Sequence, residues 1–131
     1  MKSLTGAGIM VVTIIGIIGI VFGIIFIAQG GSSLKKIAAE LDPLPIAEVN
    51  SKYESVKTSH NAMKAVEEPK IQAGQDLPTA MYNYLSAQRA SLGLAKSNIG
   101  LASLVKTIGA IAIIMGAGFI ITGVCLYKNK R

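Results

Sequence analysis

From Met81 to Gly123 the sequence keeps one heptad register across a complete change of chemistry, and few folds accommodate that. Counting by sevens gives Met81, Gln88, Ala95, Ala102, Gly109, Gly116 and Gly123, with a companion row at Leu85, Leu92, Ile99, Lys106, Ile113 and Ile120. The 3-4 alternation puts both rows on one face of an unbroken helix. Such a helix, over Pro78 to Tyr127, would be roughly 75 Å long at about 1.5 Å per residue. Its charge-free part, Thr107 to Tyr127, matches the thickness of a hydrocarbon layer. The seam side chains shrink toward that end, so a partner helix approaches most closely where the surface is most apolar.

The apolar residues are not spread as a globular core requires. They concentrate in a charge-free run from Ser3 to Leu34 and in the Thr107 to Tyr127 run, each long enough to span a bilayer. The chain therefore divides at 1–34, a first membrane-spanning helix; 35–106, an amphipathic helical hairpin turning near 69–77; and 107–131, a second apolar helix with a basic tail. In a chain of net charge +6, the middle segment carries nine Lys/Arg and all seven acids, a balance of only +2. The other four positive charges are Lys2, Lys128, Lys130 and Arg131.

Taken in order, Lys2 followed by a long apolar run has the look of a signal peptide, and Ala28-Gln29-Gly30 offers small residues for cleavage. The Ile9 to Ala28 core is longer than a usual signal-peptide core, so an uncleaved spanning helix is expected, with cleavage as the alternative. Gly16, Gly19, Gly23 and Gly30 repeat the 3-4-7 spacing, and Gly19 with Gly23 makes a small-xxx-small pair. Set against Gly109, Gly116 and Gly123, they predict that the two apolar helices pack on each other or on copies of themselves. The helical pattern resumes at Leu34 beyond Gly30-Gly31-Ser32-Ser33 and stops at Asp42-Pro43-Leu44-Pro45.

A new amphipathic helix is expected from Ile46, with Ile46, Val49, Tyr53, Val56, His60 and Met63 inward and Glu48, Lys52, Glu54, Lys57 and Lys64 outward. It should end at Glu68, where Pro69 follows, leaving Pro69 to Leu77 as a loop and Asp76 as cap of the long helix, with Pro78 in its first turn. The arms, roughly 50 Å from Leu34 to Glu68 and roughly 43 Å from Pro78 to Lys106, suit an antiparallel pair. The expected fold is all-α: two long hydrophobic helices in an antiparallel hairpin with a Pro-kinked amphipathic middle. Small residues at Ala90, Gly93, Ala95, Gly100 and Ala102 exceed what one hairpin needs, so self-association is expected.

The inventory for chemistry is thin. His60 is the one histidine and Cys125 the one cysteine, and no metal-ligand spacing, phosphate loop or nucleophile elbow occurs. His60 reads as a packed histidine, with a pH-responsive contact as the alternative. Cys125 reads as a small buried hydrophobe, and Glu67-Glu68 as a solvated helix end. No catalytic residue, metal or cofactor is assigned, and the chain is not expected to be an enzyme.

Lys128-Asn129-Lys130-Arg131 directly follows the second apolar block, and Lys2 precedes the first. If both blocks span, the positive-inside rule places both termini in the cytoplasm, and the same cations suit the phosphate of lipid or nucleic acid.

With apolar runs at Ile9 to Ala28 and Ile108 to Tyr127 and a terminal Lys-Asn-Lys-Arg, the chain resembles the hydrophobic coat proteins of archaeal spindle-shaped viruses. That resemblance implies a hairpin inserted in a membrane before assembly into a virion, with the cytoplasmic face becoming the lumen. Lys2, Lys128, Lys130 and Arg131 would then face double-stranded DNA, and Gly16, Gly19, Gly23, Ala95, Ala102, Gly109, Gly116 and Gly123 would form the packing and assembly seam. Two alternatives are a two-span membrane accessory or sensor subunit whose hairpin binds a protein partner, and a pilin-like filament subunit.

Overall fold

A computed structural model describes residues 2–129 of the chain. It is all-α, with no strand among the described residues: α1, Lys2–Leu41; a single 3-10 turn, Ile46–Glu48; α2, Val49–Gln72; and α3, Ala80–Lys128. The chain forms two compact units, one of the residues up to Leu34 with those from Ala102 onward, the other of Lys35–Leu101. Both α1 and α3 contribute to each unit.

In the first unit the apolar stretches of α1 and α3 run antiparallel and pack through glycine. Helix α1 does not break at Gly30-Gly31-Ser32-Ser33, as the composition suggested, but continues to Leu41. Gly30 is there for close approach: a Cβ at this position would lie 2.7 Å from the Ala102 carbonyl oxygen and 3.1 Å from Lys106 Cβ. Tertiary contact thus outweighs a helix penalty of about 1 kcal/mol for the glycine. The large side chains point the other way, with Val11, Ile14, Ile18, Phe22 and Ile25 of α1 and Ile111, Ile114, Met115 and Ile121 of α3 all exposed.

The second unit has a small core of conventional kind. Val49, 1% exposed, lies with Val56 and Leu92, and Leu41, Leu44, Tyr53, Leu85, Ala95 and Ile99 pack around them. The inward face of α2 is the one its 3-4 alternation predicts, with Val49, Val56 and His60 buried. Helix α1 ends at Leu41, before the two prolines.

The far end of the unit differs from expectation. Pro69 does not stop α2, which runs on to Gln72. A proline removes one N–H and crowds the carbonyl four residues back, but the following turn is closed by Ala73 N–H to Pro69 O (3.1 Å) and Gln75 N–H to Lys70 O (3.0 Å). Gly74 is the actual stop, with φ +68, a left-handed conformation that glycine adopts without penalty. Asp76 does not cap α3; it stands 4.0 Å from Lys70 Nζ. The cap is Thr79, whose Oγ1 accepts the Tyr82 N–H at 3.2 Å, so α3 begins at Ala80.

Candidate functional site

The feature that sequence analysis singled out, the small-residue seam, is a contact between α1 and α3 with a single numerical rule. Opposed positions sum to 132: Gly16 faces Gly116, Gly23 faces Gly109 and Gly30 faces Ala102. A Cβ on Gly16 would lie 2.6 Å from the Gly116 carbonyl oxygen, and one on Gly116 would lie 2.6 Å from that of Gly16. Gly23 and Gly109 repeat the reciprocal pair at 2.6 Å each way. These contacts leave room for a hydrogen only, which is what lets two helix backbones touch.

Gly19 is looser, its added Cβ 3.4 Å from the Ala112 oxygen, and Gly123 abuts the Thr13 side chain. Ala102 is buried, and Ala95 is half-buried beside the core of the second unit. Lys106, the cation in the companion row, is exposed, with its stem against Gly30. A lysine that packs its methylenes and keeps its ammonium outside is compatible with the register.

The seam is therefore filled from within the chain, not left open for a copy. Among the glycines within α1 and α3, Gly8, Gly31, Gly100 and Gly118 remain free: an added Cβ there would meet nothing within 4 Å. Gly93 is covered by Tyr53, and Met81, the first member of the row, is exposed. Cys125 is exposed rather than buried, because two residues beyond Gly123 it lies about 200° around the helix from the seam. Of the basic ends, Lys128 is exposed. Lys130, Arg131 and the side chain of Lys2 lie outside the described residues.

Three threonine hydroxyls in the apolar helices are satisfied locally. Thr13 Oγ1 donates to Ile9 O (3.0 Å), Thr107 to Ser103 O (3.0 Å) and Thr122 to Gly118 O (2.9 Å). Each bond closes on the same helix, so these groups need no water.

The second unit holds three polar contacts between α2 and α3 that no sequence spacing announces. His60, buried on the α2 face, places Nε2 3.0 Å from Ser86 Oγ and Nδ1 3.0 Å from Arg89 Nη1. Glu67 is not a solvated helix end: it accepts the Thr79 hydroxyl at 2.6 Å and the Thr79 N–H at 3.1 Å, tying the end of α2 to the cap of α3. Glu54 accepts from Lys57 and from Lys96, each at 3.2 Å, and Lys96 Nζ also lies 4.8 Å from the centre of the Tyr53 ring. Hydrogen bonds from Lys57 and then Lys96 hold the Glu54 carboxyl below its ordinary range. The α2 periodicity places His60 on the inward face but gives no such place to Glu54 or Glu67, and all the partners depend on the α2–α3 register, which no local pattern encodes.

Among the described residues no group of three His, Cys, Asp or Glu is placed to hold a metal. What the chain offers is helix packing. It is an all-α protein with two long apolar helices packed together, each long and apolar enough to cross a membrane. Comparison with family models, curated proteins and solved structures gave no match.

Proposed function

We propose that the chain is a membrane-inserted structural subunit that assembles with copies of itself. Membrane insertion is supported by the inverted construction of the first unit, with glycine inside and isoleucine, valine, phenylalanine and methionine outside. A continuous exposed apolar surface of this kind is stable against hydrocarbon or protein, not against water.

The observation that carries self-assembly is the outer face of α3. Where α2 bears Lys52, Glu54, Lys57, Lys64, Glu67, Glu68 and Lys70, α3 from Ala80 to Val105 has only Arg89 and Lys96 as charged residues. Both are turned to α2, on His60 and Glu54. The opposite face, Ala80, Asn83, Ala87, Ala90, Leu94, Ser97 and Leu101, is exposed and uncharged and follows its own 3-4 alternation. Leu94 is 65% exposed and Leu101 58%. Copies inserted with one topology present this row in the same direction, and the row itself carries no charge.

The specific form of this reading is a coat or tube around nucleic acid, with Lys2, Lys128, Lys130 and Arg131 at its phosphates. Replacing Leu94 and Leu101 together by Glu tests the assembly. Cross-linking in membranes should shift from oligomer to monomer while alkaline extraction still leaves the chain in the bilayer. Unchanged oligomers would remove the proposed interface, and loss of membrane association would show that the substitutions act on insertion instead.

A second reading, a small membrane subunit that engages a different protein, draws on the tip of the helical hairpin. Leu77 is 88% exposed there and Val66 62%. A partner that protects these two residues and leaves Leu94 free would favour it.

A further inference from the structure

We infer that His60 is a neutral-state latch between α2 and α3 that acid releases. The hydrogen-bond inventory fixes its tautomer. Ser86 Oγ spends its one proton on the Tyr82 carbonyl at 2.8 Å, so toward His60 Nε2 it can only accept, and Nε2 must carry hydrogen. Arginine has donors only, so Nδ1, at 3.0 Å from Arg89 Nη1, must be the bare nitrogen. One ring thereby joins two donor–acceptor pairs across the helix interface, and only the neutral Nε2–H form does so.

A second proton has one place to go, Nδ1, and would turn that contact into two donors and two positive charges in hydrogen-bond reach. The groups facing the ring offer no compensation. From α3 they are Arg89, Ser86 and Tyr82, whose ring centre is 5.4 Å away; from α2, Asn61 accepts from the same Arg89 nitrogen at 3.4 Å. The cations one turn to either side, Lys57 and Lys64, are engaged with Glu54 and Glu68. None of the hydrogen bonds to the ring comes from a carboxylate. Charging the ring therefore works against the closed pair, and acid weakens the contact. The latch concerns α2 against α3 and is independent of what the outer face of α3 binds.

Because the chain has one histidine, the imidazole nitrogen spectrum of the ¹⁵N-labelled full chain in detergent micelles reports on His60 alone. At pH 7.5 it should show the Nε2–H tautomer. As pH falls, amide exchange around Ser59 to Met63, corrected for its intrinsic pH dependence, should quicken at least tenfold at the same midpoint as ring protonation. In Arg89→Gln, the side-chain amide can rotate from donor to acceptor, so the ring should protonate without that release. An Nδ1–H tautomer at pH 7.5, protonation with unchanged exchange, or release of Arg89→Gln at the wild-type midpoint would each overturn the inference. If Arg89→Gln does not fold, the tautomer and the wild-type titration still decide it.

Discussion

The backbone carbonyls of Gly16 and Gly116 each occupy the space that the other residue's Cβ would need, at 2.6 Å in both directions. This reciprocity recurs seven residues on, at Gly23 and Gly109, and it makes the hairpin register a property of two facing glycine rows. A seven-residue slip could set glycine on glycine again, as Gly16 on Gly123, Gly23 on Gly116 and Gly30 on Gly109, so the glycine rows fix the register to within one heptad. Smaller slips would drive Ile20, Ile27, Ile113 or Ile120 into backbone.

Gly116→Leu should therefore destabilise the apolar hairpin by about 1–3 kcal/mol, the cost of forcing a side chain into a filled contact. Gly118→Ala, two residues away where an added Cβ meets nothing, should be neutral or slightly stabilising because alanine is the better helix former. Unfolding of both variants in mixed micelles compares them directly. Equal stabilities would refute the seam as the organising contact.

The Glu67–Thr79 clasp predicts coupling between two residues twelve apart in sequence. Thr79→Ala should cost about 1 kcal/mol for the lost cap, and Glu67→Gln somewhat less. Their double mutant should cost less than the sum, with a coupling of about 0.5–1.5 kcal/mol. Strict additivity in a double-mutant cycle would show that the clasp does not form.

Glu54 gives the second unit an acid-sensitive contact separate from His60. Its carboxyl is held below the ordinary value of 4.5 by Lys57 and Lys96. The folded form thus favours the carboxylate, and the contribution is present above pH 4.5 and lost as pH falls through the lowered folded value. Because the group is exposed to solvent, the effect should be small. Glu54→Gln should flatten the stability profile of α2 below pH 4.5 and leave the region above pH 5.5 unchanged; a change confined to the higher range would contradict the assignment.

Much of this was legible in the sequence because it rests on periodicity. The heptad row from Ala95 to Gly123, the inward face of α2 and the two apolar helices all follow from spacing alone, and Lys106 keeps its place in the companion row by staying exposed. What spacing missed depends on pairing. Pro69 reads as a helix stop until the closing bonds from Ala73 and Gln75 are seen, and Asp76 is a better cap than Thr79 by residue type until Glu67 arrives from another helix. Of the small residues read as a surplus for assembly, Gly93, Ala95 and Ala102 are taken up inside the chain, while Ala90 and Gly100 stay exposed. The uncharged outer face of α3 became visible only once Arg89 and Lys96 were seen turned to α2.

Leu94 and Leu92 make the same contrast at the level of energetics. Leu92, with Val49 in the core, should cost about 2–4 kcal/mol when changed to alanine. Leu94→Ala should leave the fold of the isolated chain within about 0.5 kcal/mol of wild type while weakening association of copies. A large loss of fold stability in Leu94→Ala would mean that this face is already packed within the chain.

The central claim, a hairpin closed on its own glycine seam and assembled through the opposite face of α3, is tested most directly by cysteine cross-linking in native-like membranes. With Cys125 changed to Ser, single cysteines at Leu94 or Leu101 should form disulfide dimers between copies, while single cysteines at Leu92 or Ala102 should not. Dimers through Leu92 or Ala102 with none through Leu94 or Leu101 would place the seam between copies and contradict the account.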